Sequence, residues 1–315
     1  MSLRALHDVP APAKLNLFLH VVGRREDGYH LLQSLFVLID WADRLSFERR
    51  DDGRIARHDV GRVAGAAAGP ELPAEDLCVR AARALAEASG TTLGVDIGLD
   101  KRLPAGAGLG GGSSDAASTL LALNRMWGLR WPRERLAEIG VRLGADVPFF
   151  VHGHNAFVEG IGERITPVQV PVLDYAVVKP AASISTQSIF THPGLRRDTS
   201  PVILAGYPHQ ADGWVREGFG RNDLQPPAED RCPEVAQAAR WLEQRFGNGR
   251  MTGSGSAVFA RVLRSGSSLG TAASPEAMSA PAAAQWLADL PAGWVGRMCR
   301  GLAQHPLADW AAPRE

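Results

Sequence analysis

The chain has 315 residues, 45% of them apolar and 22% charged, with 34 basic residues balancing 34 acidic ones. Such values describe a globular protein with a well-buried core in one large or two ordinary domains, and the balanced charge excludes the electrostatic footprint of a nucleic-acid binder or a polybasic membrane-surface protein. The longest clean apolar run, Leu35 to Ile39, is far too short to span a bilayer, and the N-terminus has no apolar export core, so neither a membrane protein nor a secreted one is expected.

In chain order, residues 11 to 22 read as a strand: Leu15, Leu17, Leu19 and Val21 alternate on one face, and Lys14, Asn16, Phe18 and His20 point the other way. Arg44 to Arg50 suits a second strand, ended by the turn Asp51-Asp52-Gly53. A helix is predicted from Pro73, with Leu77, Ala81 and Leu85 on one stripe and Gly90 at its end. Val95, Ile97 and Leu99 alternate as a half-buried strand leading into a glycine-rich segment. Ala116, Ala117, Leu120, Leu121 and Asn124 then form a helical stripe. Pro132 starts another helix, bearing Leu136, Ile139 and Leu143 and closed by Gly144.

Residues 183 to 212 are loop-rich, and a domain boundary is expected between about 155 and 185. Pro233 to Phe246 reads as a helix, Thr252 to Ser256 as a second glycine-rich turn, and Ala257, Phe259 and Arg261 as a strand. Residues 265 to 283 are low in complexity and predict a surface insertion. The fold class is α+β in two lobes, divided as 1–165 and 166–315.

Three cysteines (Cys78, Cys232, Cys299) are widely spaced and form no metal-ligand pattern, which predicts reduced thiols in a cytoplasm. Only three of the 34 basic residues are lysines: Lys14, Lys101 and Lys179. On a solvated surface Arg serves as well as Lys, so a lysine that persists in an Arg-biased chain marks a candidate need for a compact ammonium. Chance survival is the competing explanation at each position.

The glycine segment runs Pro104-Ala105-Gly106-Ala107-Gly108-Leu109-Gly110-Gly111-Gly112-Ser113-Ser114. Without Cβ atoms, successive N–H groups can turn inward into an anion-binding concavity, and a helix start adds unpaired donors and the positive dipole end. Ser113 and Ser114 offer hydroxyls to phosphate or to a phosphate-bound cation, or cap the helix. Gly106, Gly108 and Gly111 satisfy G-x-G-x-x-G, but the preceding strand alternates and Trp131 stands where a ribose-binding acid belongs. The P-loop pattern fails because Gly112 follows Gly111 where Lys is required. A triphosphate cradle of another kind is expected.

P-A-K-L-N-L (Pro12 to Leu17), P-A-G-A-G-L-G-G-G-S-S (Pro104 to Ser114) and T-G-S-G-S-A (Thr252 to Ala257) resemble, in order, the three motifs of the GHMP kinase superfamily. G-R-R-E-D-G-Y-H (Gly23 to His30), L-G-A-D-V-P-F-F (Leu143 to Phe150) and S-I-S-T-Q-S-I-F (Ser183 to Phe190) are similar to the branch whose acceptor is a cytidine-diphosphate-linked methylerythritol. The resemblance covers nearly the whole chain outside the insertion.

It implies an N-terminal lobe like domain 2 of ribosomal protein S5, a ferredoxin-like C-terminal lobe, and an active site in the cleft between them. The implied reaction moves the γ-phosphoryl group of ATP, with Mg²⁺, to the 2-hydroxyl of that acceptor, in the non-mevalonate isoprenoid route. Asp146 would accept the hydroxyl proton, with Lys14 beside it stabilising the developing alkoxide. The glycine segment from Pro104 to Ser114, with Lys101 before it, would hold the nucleotide. Tyr29 and Phe190 would sandwich the cytosine, His30 would bond its edge, Asn16 would touch the methylerythritol, and Thr186 would lie near it or the cytidine diphosphate. Asp76 stands where the family often has Asn near the adenine. No protein carboxylate emerges as a magnesium ligand, leaving ATP, water and a serine. Monomer and homodimer are both compatible with the composition. Sibling kinases acting on mevalonate, phosphomevalonate or homoserine, and a catalytically silent sensor of the same fold, are the rival readings.

Overall fold

The structure is a computed structural model describing residues 3–61, 73–203, 218–262 and 285–312; the expected low-complexity insertion at 265–283 lies outside them. The first lobe is built on β1 (Ala5–Arg24), β2 (His30–Arg50), β3 (Ile55–Gly61), β4 (Gly94–Asp100), β5 (Ala156–Gly160) and β6 (Arg164–Pro167). Its order is β3-β4-β2-β5-β6 with β1 paired along β2, all antiparallel except β3 with β4. Only the last third of β2 was expected as strand. Residues 34 to 39 are buried without a break, with β1, β4 and β5 paired along the length of the strand, so the stretch has no solvent face and no polar–apolar alternation to show.

Four helices complete this lobe: α1 (Leu77–Ser89), α2 (Gly111–Met126), α3 (Arg133–Val141) and α4 (Val147–His152). Helix α1 starts four residues later than expected because Asp76 is its N-cap, accepting from the Val79 N–H at 3.1 Å. Helix α3 ends at Val141, so Leu143 and Gly144 lie in the turn that follows. Helix α2 is buried on almost every side, packing on α1, α4 and β1 at the centre of the lobe. A helix so enclosed carries Ala and Leu toward its neighbours, and the hydroxyls of its buried Ser114, Ser118 and Thr119 bond backbone carbonyls.

The second lobe carries β7 (Asp174–Lys179), α5 (Thr186–Phe190), α6 (Gln225–Arg231), α7 (Pro233–Phe246), β8 (Arg250–Met251), β9 (Val258–Arg261) and β10 (Val295–Arg300). Its sheet is antiparallel in the order β10-β7-β9-β8, with α7 across it. The chain changes sheets between Pro167 and Asp174. It also returns: Leu302, Leu307 and Ala311 pack into the core of the first lobe, and the Leu302 N–H donates to the Leu38 carbonyl at 2.8 Å. A shared core joins the sheets, with Leu15, Leu17, Val37 and Ile39 meeting Tyr175, Val177 and Phe259. This α+β, two-lobed arrangement is the fold class expected from the sequence. Among the described residues, no helix is long and apolar enough to cross a membrane.

Candidate active site

The three motif segments meet where the lobes join. The Lys14 N–H donates to the Leu109 carbonyl at 3.0 Å, tying β1 to the glycine segment. The Ser256 and Ala257 N–H groups donate to the Gly106 and Ala107 carbonyls at 3.2 and 3.1 Å, laying the second glycine-rich turn against the first. The Asn16 N–H donates to the Thr252 hydroxyl at 2.9 Å, closing the ring. Ala107 and Leu109 are buried in the shared core and anchor the segment, while Gly106, Gly108 and Gly110 take positive φ of 61°, 74° and 74°. Close approach explains the glycines at two of these positions. A Cβ on Gly108 would stand 2.4 Å from the Thr252 carbonyl oxygen, and one on Gly110 would stand 2.9 Å from the Phe150 ring.

Lys14 is 3% exposed, and its Nζ stands 3.5 Å from Asp146 Oδ2. It also donates to Asn16 Oδ1 at 2.5 Å and lies 4.6 Å from the centre of the Phe36 ring. Such partners offset the hydration that a buried ammonium gives up. Asp146 precedes helix α4 but makes no side-chain cap, which leaves its half-buried carboxylate to Lys14 and to the cleft. Asn16 is 1% exposed; its amide nitrogen donates to Ser34 Oγ at 2.8 Å. Asn16 thus holds the Lys14 ammonium through its Oδ1 and is itself held by Ser34 and Thr252.

Helix α2 begins at Gly111 with Gly110 as N-cap and no side-chain cap. Its first turn, Gly111 to Ser113, ends the glycine segment with N–H groups that have no partner inside the helix, the kind of donor an anion needs. The expected serine cap is absent, and Ser114 is fully buried with its hydroxyl donating to the Pro12 carbonyl at 2.6 Å. Ser113 is the hydroxyl left near the mouth, close to Gly144 in the turn that leads to Asp146.

Lys101 sits below this turn, its ammonium bonded to Asp43 and, at 2.7 Å, to Asp115 Oδ2. Asp43 Oδ1 also accepts the Arg102 and Leu103 N–H groups at 2.6 and 2.7 Å, which fixes the chain as it enters the glycine segment. The Lys101 ammonium thus ties Asp43 of β2 to Asp115 of α2. Two carboxylates share one ammonium, and Asp115 has the poorer share, with Oδ1 buried and unpartnered. Burial, together with the Asp43 charge and despite Lys101, pushes the Asp115 carboxyl up to about 8. Unfolded, the same group ionises near its ordinary value of 3.8. Folding therefore takes up a proton between those values, and this contribution to stability falls as pH rises through the interval. Asp115→Asn mimics the protonated form. Thermal melts without nucleotide should show the wild type losing several degrees relative to the variant between about pH 5.5 and 9; parallel curves would remove the proton from Asp115.

At the other end of the cleft, Tyr29 is 61% exposed in the β1–β2 connection. His30 and Phe190 lie together, ring centres 5.0 Å apart and planes 31° from parallel. The Thr186 hydroxyl bonds that of Ser254 at 2.7 Å, linking α5 to the second glycine-rich turn. Asp76 spends one oxygen on its cap and the other on Arg57 at 3.0 Å. Two residues were not foreseen. Asn222 donates to the Met251 and Gly253 carbonyls at 2.8 Å each, and Asp223 accepts from the Val21 N–H at 2.9 Å and the Thr199 hydroxyl at 2.6 Å. In sequence this Asn-Asp pair looks like any loop turn; only its distant partners give it meaning. No group of three or more His, Cys, Asp or Glu placed to hold a metal occurs among the described residues.

The GHMP kinases N terminal domain family matches residues 76–154, and the GHMP kinases C terminal family matches residues 211–276. The 4-diphosphocytidyl-2-C-methyl-D-erythritol kinase of Methylibium petroleiphilum is 58% identical over 311 residues, covering 99% of this chain and 100% of the relative. Its counterpart in Polaromonas naphthalenivorans is 54% identical, covering 98% and 97%. A crystal structure of 4-(cytidine 5'-diphospho)-2C-methyl-D-erythritol kinase superposes with a TM-score of 0.74 at 33% identity, over 93% of this chain and 98% of that one. Homoserine kinase from Cytophaga hutchinsonii shares the fold at a TM-score of 0.66 and 16% identity, over 96% of each chain. With full-length relatives at this identity and both lobes matched, the chain is a small-molecule kinase that belongs to the GHMP kinases and, among them, to the 4-diphosphocytidyl-2-C-methyl-D-erythritol kinase family.

Proposed function

We propose that the protein phosphorylates the 2-hydroxyl of 4-diphosphocytidyl-2-C-methyl-D-erythritol at the expense of ATP. The observation that carries this reading is the buried Lys14 ammonium 3.5 Å from Asp146, beside a helix start lined with free N–H groups. In such a site the N–H groups of Gly111 to Ser113 hold the phosphates. Asp146 orients the acceptor hydroxyl and takes its proton as the new oxygen–phosphorus bond forms and the bond from the γ-phosphorus to the β–γ bridging oxygen breaks, releasing ADP. Lys14, held by Asn16, orients the Asp146 carboxylate and stabilises the charge that gathers on the attacking oxygen. Positioning and charge neutralisation carry most of the acceleration in phosphoryl transfer.

Magnesium, when bound, supplies further neutralisation of phosphate charge. With no acid cluster among the described residues, phosphate oxygens, water and the Ser113 hydroxyl would hold it. Lys101, Asp43 and Asp115 brace the glycine segment, and Thr186 borders the acceptor through Ser254. Tyr29 and Phe190 clasp the cytosine between aromatic faces. Three buried, unpaired cysteines support a cytoplasmic location.

The test is ADP release with MgATP and, in turn, the cytidyl acceptor, mevalonate and homoserine. Turnover confined to the first is expected; turnover with another acceptor would keep the phosphate site and discard the cytosine pocket. Tyr29→Ala or Phe190→Ala should raise KM for the cytidyl acceptor about 10-fold or more, from the worth of a base–aromatic stack, with KM for ATP unchanged. Equal effects on both substrates would end the sandwich.

A further inference from the structure

His30 is held by a residue that sequence reading passed over. Arg197 Nε donates to His30 Nε2 at 3.0 Å. A guanidinium has only N–H groups to offer, so the nitrogen facing it must carry a lone pair, and the ring proton of a neutral His30 then sits on Nδ1. The rest of Arg197 is fastened to backbone. Nη1 donates to the Leu195 carbonyl at 3.0 Å, and Nη2 donates to the Phe190 and His192 carbonyls at 3.1 Å each. One planar cation thus grips the His30 ring and the end of the helix that carries Phe190. His30 Nδ1 makes no hydrogen bond with the described residues.

We propose that Arg197 is a positioning residue that locks His30 as the Nδ1–H tautomer, so that the ring presents a hydrogen-bond donor beside Phe190 to a base whose edge accepts. The inference rests on the cytidyl reading above and sharpens it. Cytosine offers lone pairs at N3 and O2, whereas uracil carries a proton on N3 that would face the Nδ1–H. Mispairing of this kind at a desolvated edge discriminates strongly, because both donors are left unsatisfied. The charged groups facing His30 are both cations, Arg197 and Arg24. Partial burial first, and then these two cations, hold the imidazole below its ordinary range, which favours the neutral ring whose tautomer the Arg197 contact sets.

The first test needs no substrate. The full chain, labelled with ¹⁵N-histidine, is examined by long-range ¹H–¹⁵N correlation at about pH 8, where the ring is neutral. The His30 signals are assigned by their loss in His30→Gln. A proton on Nδ1 is expected; a proton on Nε2 overturns the proposal whatever the substrate proves to be.

The second test is kinetic. Arg197→Ala should raise KM for the cytidyl acceptor about 10-fold at about pH 8, with kcat and KM for ATP within about twofold of wild type. Near about pH 5.5 the defect should shrink to about threefold, because the freed imidazole protonates and donates from Nδ1 again. A defect of equal size at both pH values would show a merely structural contact and overturn the lock. If Arg197→Ala does not fold, the wild-type spectrum still decides. An Nδ1 proton in an enzyme that turns over only a non-cytidyl acceptor would uphold the lock and overturn the cytosine reading instead.

Discussion

Asp146→Asn is expected to lower kcat by on the order of 10²-fold or more while leaving ATP affinity within about twofold. The substitution keeps the size of the side chain and removes its charge and its capacity to take a proton. Asp146 precedes a helix without capping it, so the exchange costs no backbone hydrogen bond. Its recorded partner is Lys14 at 3.5 Å. An amide there leaves the buried ammonium with Asn16 and the Phe36 ring, a poorer set that still holds it in place. The measurements are steady-state turnover, nucleotide titration and a thermal melt. A loss of turnover with unchanged melting and ATP binding places the defect in the chemical step. Undiminished turnover would remove Asp146 from that step altogether.

Gly108→Ala should be nearly as damaging, for a reason that is geometric. Gly108 has a φ of 74°, and a Cβ there would lie 2.4 Å from the Thr252 carbonyl oxygen and 3.1 Å from the Gly255 nitrogen. Both obstacles are backbone and cannot swing aside. The left-handed conformation costs a non-glycine residue about 1–2 kcal/mol, and overpacking adds about 1–3 kcal/mol. Relief of the clash separates the two glycine-rich turns, drawing Thr252 from the Asn16 N–H and loosening the support of Lys14. Activity should fall by on the order of 10²-fold, with melting lowered by about 5–10 °C. Gly128→Ala is the control: its φ is 68°, but a Cβ there meets nothing within 4 Å. It should cost only the conformational term, about 1–2 kcal/mol, and leave kinetics intact. Equal loss of activity in both variants would mean that the turn-to-turn contact has no special part in catalysis.

Legibility followed the range of the interactions. Helix α7 was read to the residue because its signals are local: proline at its start, glycine after its end, and an apolar stripe between. The first two-thirds of β2 was missed because burial on both faces erases alternation. Lys14 and Asp146, which the structure brings to 3.5 Å, were singled out through motif resemblance, and the compositional scarcity of lysine gave Lys14 a separate physical hint. The same scarcity marked Lys179 without giving it a purpose. In the structure its ammonium donates to the Pro180 and Ala182 carbonyls at 2.8 and 3.0 Å, a backbone clamp that no sequence pattern announces.

The lobed α+β class and the glycine segment at a helix start were legible in the residues alone, because periodicity and turn chemistry are written in neighbouring positions, whereas the pairing of Lys14 with Asp146 was read through motif resemblance. The packing of the whole chain was needed to show that Ser114 is buried on the Pro12 carbonyl, that Lys101 is bonded to Asp43 and Asp115, that Asn16 accepts from Lys14, and that Arg197 donates to His30. Ser114 to Pro12, Lys101 to Asp43, Asn16 to Thr252 and Arg197 to His30 are separated by 102, 58, 236 and 167 positions. A side chain's hydrogen-bond partner at such a distance is chosen by the packing of whole lobes. That choice settles whether a polar group faces a ligand or holds the residue that does.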